Sequence, residues 1–88
     1  LTFAEVYGRY EREVYRYSFR LCGNAAEAED LAQEIWLQVW RSLGQFEGRS
    51  TLRRWIYRIA LRKWLARRRS RSEVGLEELA ERELPQVD

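Results

Sequence analysis

Between Arg49 and Arg71 the chain carries ten Arg or Lys and no acid, yet Trp55, Ile56, Ile59, Trp64 and Leu65 run through the same stretch. A solvated cationic face is the plain reading, but it has no use for tryptophans. Ten positive charges in a row repel one another unless something anionic offsets them. Cations interleaved with flat rings suit a nucleic acid, because Arg and Lys meet phosphates and aromatic faces stack on bases that have left a duplex. A basic amphipathic helix on an anionic membrane is the rival use. The acidic segment that follows would be repelled from such a membrane.

Other chemistry is poorly supplied. The chain has no His and a single cysteine, Cys22. That removes the commonest general base, a Cys-based zinc site and any internal disulfide. No phosphate-binding glycine loop and no paired nucleophile and base occur, and the acids of "EAED" read equally well as a solvated helix face. No enzyme, cofactor or metal is expected. No apolar run reaches the eighteen or so residues of a membrane span and no signal peptide is visible, so stable membrane insertion is not expected and a reducing, cytoplasmic setting fits best.

The net charge of +2 conceals blocks: residues 1–48 carry −3, residues 49–71 carry +10, and residues 72–88 carry −5. Eighty-eight residues make one domain at most. Phe3, Tyr7, Tyr10, Val14, Tyr17 and Leu21 alternate steps of four and three, one face of a helix. Gly23 stands where a glycine ends a helix, and Asn24 with Glu27 forms an N-cap and capping-box pair. A second helix then runs to about Leu43, with Ala28, Leu31, Ile35, Val39 and Leu43 facing inward. "GQFEG" is a short loop between glycines. Ser50 is the expected N-cap of a third helix, in which Leu52, Trp55, Ile56 and Ile59 repeat at helical spacing. Residues 76–84 form a possible short fourth helix stopped before Pro85. Nothing reads as a strand. The expected fold is all-α: a three-helix domain over residues 1–71, then an acidic segment, 72–88, that would weaken binding of an anionic partner.

Two surfaces remain once the inward stripes are assigned. On the second helix Trp40 lies about 180° and Gln33 about 200° from Leu31, flanked by Trp36, Leu37 and Glu29. That side either packs within the domain or forms a protein interface, since exposed tryptophan clusters mark contact sites. On the third helix Tyr57, Leu61 and Trp64 form a second face among Arg53, Arg54 and Arg68.

"GNAAEAEDLAQEIWLQVWRSLGQFEGRSTLRRWIYRIALRK", residues 23–63, closely resembles region 2 of bacterial RNA polymerase sigma factors of the small extracytoplasmic-function group. The matching pieces are Gly23-Asn24, Ala28 through Glu34, Trp40, Phe46-Glu47-Gly48-Arg49-Ser50 and Trp55 through Ala60. With the first helix the match covers about residues 3–71. The resemblance implies an all-helical domain and assigns both leftover surfaces. Asp30, Gln33, Glu34, Leu37 and Trp40 fall where the family docks on the β′ clamp helices of core RNA polymerase. Phe46, Arg49, Ser50, Arg53, Arg54, Trp55 and Arg58 fall where it binds and helps open the −10 promoter element. Melted promoter DNA offers phosphates and unstacked bases together, which suits the cations and rings of the basic block.

The family usually has Asn at the position of Arg62 and often Asp at that of Ala66. Arg62 either reads a guanine edge or holds a phosphate, so the promoter sequence does not transfer. The resemblance also implies a second, −35-binding domain after residues 72–88, making this chain a piece of a longer protein with an acidic interdomain linker at its end. Two other readings stand beside it. One is a helix-turn-helix regulator of double-stranded DNA, against which Trp36 and Trp40 argue. The other is a module bound by an anti-sigma protein, which is compatible with the first.

Overall fold

A computed structural model of the protein describes residues 1–68. Three helices, α1 (Phe3–Cys22), α2 (Ala25–Ser42) and α3 (Leu52–Arg68), are joined by a two-residue break and by a 3₁₀ turn, Leu43–Gln45, followed by a loop. Among the described residues there is no strand. The possible fourth helix over 76–84 and the acidic segment lie outside them.

The helix ends follow from local chemistry. Thr2 and Glu5 close a capping box on α1: Glu5 N–H donates to Thr2 Oγ1 at 3.2 Å, and Thr2 N–H donates to Glu5 Oε1 at 2.8 Å. Gly23 takes φ +84°, the left-handed conformation a side chain resists, and its N–H returns to the Phe19 carbonyl at 2.8 Å. Asn24 then caps α2, its Oδ1 accepting from Glu27 N–H at 2.8 Å. The cap is that single bond; the Glu27 carboxylate makes no return bond to Asn24. At α3 the cap is Thr51 rather than Ser50. Thr51 Oγ1 accepts from Arg54 N–H at 3.1 Å and its carbonyl from Trp55 N–H at 3.0 Å. The Ser50 hydroxyl instead donates to the Thr51 carbonyl at 3.2 Å.

The core joins all three helices. Val6, Tyr10, Val14 and Tyr17 of α1 meet Leu31, Ile35 and Val39 of α2 and Ile56, Ile59 and Leu65 of α3. Each fully buried aliphatic side chain contributes about 1.5–3 kcal/mol over an exposed one. Ser18, on the same side of α1, is also fully buried, and its hydroxyl donates to the Val14 carbonyl at 2.8 Å.

Two expected faces change. Trp36 is only 8% exposed and sits in the core, with Phe3 and Tyr7 edge-on to its ring at 6.0 and 5.0 Å. Tyr7 itself stays at the rim, and Val6 takes the deep place. On α3, Tyr57 and Leu61 are buried rather than part of a second surface. The reason is that α3 packs against α1 and α2 at once. Its buried residues Ile56, Tyr57, Ile59, Ala60, Leu61 and Leu65 sweep about 240° of its circumference at 100° per residue. Only a narrow strip is left outside.

Candidate functional site

The basic block resolves along one edge of that strip, with Arg58 and Arg62 in the gap and Arg54 at its margin beside the Leu65 position. Arg54, Arg58 and Arg62 stand four residues apart, so they ascend one side of α3 in steps of about 6 Å, each turned about 40° from the last. None of the three side chains makes a hydrogen bond or ion pair among the described residues. Arg58 Nε is buried without an acceptor, a donor left unsatisfied on the edge of an apolar core.

Trp55 borders the strip at its N-terminal end. Half-buried against the core, it meets Phe46 of the preceding loop with ring centroids 5.1 Å apart and planes tilted by 47°. Phe46 is positioned by its N–H, which donates to the Leu43 carbonyl at 3.1 Å and closes the 3₁₀ turn. Gly48 turns the loop with φ +78°, a conformation that excludes ordinary side chains at little cost only for glycine. Ser50, freed from capping, lies in the loop between Phe46 and the start of α3. Arg49 is 88% exposed and holds Glu47 at 3.1 Å, a surface pair of little strength.

Three further cations of the block have partners within the described residues. Arg53 Nε meets Glu13 Oε2 of α1 at 3.0 Å, and its guanidinium lies over the Tyr10 ring at 5.6 Å. The same Glu13 oxygen accepts the Tyr57 hydroxyl at 2.8 Å. Burial, and then this bond to a carboxylate, push the Tyr57 pKa well above that of a free tyrosine. Arg67 donates to both oxygens of Glu34 on α2, at 3.0 and 3.5 Å; those bonds raise its pKa despite partial burial. Arg68 lies over Trp64 at 5.0 Å. Lys63 carries no such contact but stands about 100° from Arg62, off the strip.

A second surface lies on α2. Trp40 is 64% and Leu37 47% exposed. With Gln33 they border a groove of about 750 Å³ between α1 and α2, whose α1 wall includes Tyr7 and Tyr15 and whose floor includes Trp36. Asp30 is exposed farther along, in a separate hollow with Cys22, Trp64 and Arg67. Of the five α2 residues expected to contact a protein partner, Gln33, Leu37 and Trp40 therefore share one groove. Asp30 and Glu34 sit beside α3, and Glu34 is already paired.

These surfaces stand in a family. The sigma-70 region 2 model matches residues 6–74. The chain belongs to the sigma-70 region 2 family. That family comprises transcription initiation factors and not enzymes. The chain is 43% identical over 51 residues, 58% of its length, to the ECF RNA polymerase sigma factor SigG of Mycobacterium tuberculosis. It is 34% identical over 59 residues, 67% of its length, to the ECF sigma factor SigW of Bacillus subtilis. To the ECF sigma factor SigE of Mycolicibacterium smegmatis it is 35% identical over 77 residues, 88% of its length. The matches cover 14, 32 and 30% of those relatives, so the chain spans less than a third of each. Region 2 here is the all-helical bundle anticipated from its periodicity. Among the described residues no helix is long and apolar enough to cross a membrane, and no cluster of three or more metal-ligating side chains occurs.

Glu13 and Thr51 are absent from the sequence-based site. Thr51 follows another hydroxyl residue, and spacing alone favoured the first of the two. Glu13 carries no local signal, because its partner Tyr57 is 44 positions away.

Proposed function

We propose that this region 2 domain docks on core RNA polymerase through α2 and holds the opened −10 promoter element along the strip of α3. The observation that carries the reading is the sorting of the basic block. Among the described residues Arg54, Arg58 and Arg62 remain unpaired on one side of α3, the helix that also carries Trp55 of the Phe46–Trp55 aromatic pair. Three cations at helical spacing follow a phosphate backbone, while a flat apolar face beside them suits an unstacked base. The N-terminus of α3, where Ser50 and Arg49 lie, adds donors and a favourable field for a phosphate.

The polymerase contact rests on Gln33, Leu37 and Trp40, with Asp30 and Glu34 along the same helix. Its partner is a helix of the β′ subunit, as the family resemblance implies. A large, mostly exposed tryptophan beside a groove is the kind of residue that dominates a protein interface. An anti-sigma protein would compete for that same groove. The exposure of Leu37 and Trp40, on a helix other than the basic one, disfavours a simple helix-turn-helix regulator.

The test is the domain assembled with core RNA polymerase, presented with a −10 segment either as single strand or as closed duplex. The single strand binds more tightly, because capture of a base from a duplex costs a few kcal/mol of unstacking that a single strand avoids. Equal affinity for the two forms would leave only a basic helix lying along phosphates.

A further inference from the structure

One carboxylate on α1 decides how the basic block is divided. Glu13 is half-buried, and its Oε2 both accepts the Tyr57 hydroxyl at 2.8 Å and faces Arg53 Nε at 3.0 Å. Arg53 Nε is itself shielded from solvent, and the contact is an ion pair without hydrogen-bond alignment. Tyr10 lies under the guanidinium at 5.6 Å, and Tyr57 is braced edge-on by Tyr17 at 4.8 Å. Arg53 is therefore drawn towards α1 by a charge, a ring and the hydroxyl-bound carboxylate together. Its sequence neighbour Arg54, turned about 100° around the helix, has no such partner among the described residues.

We infer that Glu13 is a positioning residue that withholds Arg53 from nucleic acid, so that the phosphate-binding register of α3 is set by Arg54, Arg58 and Arg62 alone. This rests on the nucleic-acid reading of α3. With both arginines free at the start of the helix, a strand would meet two cations about 100° apart, one in line with Arg58 and Arg62 and one off that line. Holding one against α1 leaves a single track. Glu13→Gln keeps an acceptor for Tyr57 and removes the charge that holds Arg53. The released guanidinium then adds one phosphate contact.

The experiment measures binding of the 88-residue chain to a fluorescent single-stranded oligothymidine as salt is raised, with far-UV circular dichroism as the folding control. Each phosphate neutralised on a single strand contributes about −0.7 to the slope of log K against log salt. Glu13→Gln should steepen the slope by about 0.7, an extra loss of about 2.6-fold for each fourfold rise in salt. Arg53→Gln should leave it unchanged, and Arg58→Gln should flatten it by about 0.7. That asymmetry is specific. A long-range charge effect would make Glu13→Gln and Arg53→Gln move the slope equally in opposite directions, and such a result overturns the inference. So does an unchanged slope in folded Glu13→Gln. If Glu13→Gln does not fold, Arg53 against Arg58 decides alone: a flattening by Arg53→Gln equal to that of Arg58→Gln means that Arg53 already touches phosphate. If Arg54→Gln, Arg58→Gln and Arg62→Gln all leave the slope unchanged, the nucleic-acid reading has failed first and the inference falls with it.

Discussion

Trp36 meets Tyr7 edge to face, ring centroids 5.0 Å apart, and so ties α2 to the first turns of α1. Trp40, one turn farther along α2, points past that contact and keeps most of its surface in solvent. The two tryptophans therefore have separable consequences. Trp36→Ala removes a buried ring from the junction of Phe3 and Tyr7 and should cost about 3–5 kcal/mol of stability. Trp40→Ala should change stability by no more than about 0.5 kcal/mol, yet weaken binding to core polymerase by about 2 kcal/mol or more. Urea unfolding and a polymerase-binding titration on both variants check the pair. Unfolding of Trp40→Ala would return that residue to the core and remove the interface.

The two hydroxyl residues ahead of α3 separate in the same way. Thr51 Oγ1 accepts the Arg54 N–H at 3.1 Å and satisfies an otherwise orphaned donor of the first turn. Thr51→Ala should cost about 1 kcal/mol. Ser50 only donates to the neighbouring carbonyl, and Ser50→Ala should fall within about 0.5 kcal/mol of the parent. Thermal or urea unfolding of the two alanine variants measures the difference. A larger loss at Ser50 than at Thr51 would move the cap back by one residue.

Alkaline pH should loosen the bundle at Tyr57. Folded Tyr57 holds its proton above the ordinary tyrosine value of 10.0, because it is buried and bonded to Glu13. Above that value the unfolded chain releases a proton that the native state keeps, so the native state binds more protons and stability falls as pH rises. The contribution is fully present below about pH 10 and is lost towards the raised folded value, by at most about 1.4 kcal/mol per pH unit for one proton. Tyr57→Phe should cost about 1 kcal/mol at neutral pH through the lost bond, and should then lose less than the parent between about pH 9 and pH 11. Urea midpoints at the two pH values read this directly. Parallel declines in parent and variant would mean that Tyr57 is not the group responsible.

The helices were legible because α1 and α2 each bury a stripe with strict helical spacing, and because Gly23 and Asn24 punctuate the turn between them. Trp36 was left undecided and Tyr57 misplaced for one physical reason. Periodicity describes a helix with one apolar face, whereas α2 presents a second flank to Phe3 and Tyr7, and α3 is wrapped by two neighbours at once. The basic block was legible as a block and opaque in its parts. Whether an arginine is free depends on acids far away in the chain: Glu13 for Arg53 and Glu34 for Arg67. Arg53 and Arg54, indistinguishable as neighbours in sequence, have opposite surroundings in the fold.

The most discriminating prediction concerns the loop and the strip together. Phe46 leans on Trp55 at 5.1 Å and presents a partly exposed ring at the entrance to α3, with Gly48 turning the backbone at φ +78° beside it. Arg54, Arg58 and Arg62 line one side of the helix that carries Trp55. A ring and a hydroxyl that caps no helix can discriminate one base, while cations spaced along a helix sense only phosphates. Assembled with core polymerase on a single-stranded −10 segment, Arg58→Gln should flatten the salt slope by about 0.7 and leave the order of preferred bases intact. Phe46→Ala and Ser50→Ala should do the reverse, blurring the preference at one base position while the slope stays nearly unchanged. Stacking of that base is worth about 1–3 kcal/mol, so the loss at the sensitive position should be about 5-fold or more. Substituting the segment one base at a time, with each variant and on both strand forms, separates the two roles. A Phe46→Ala variant that weakens every base equally, or that moves the slope as Arg58→Gln does, would mean that the loop only supports the helix and captures nothing.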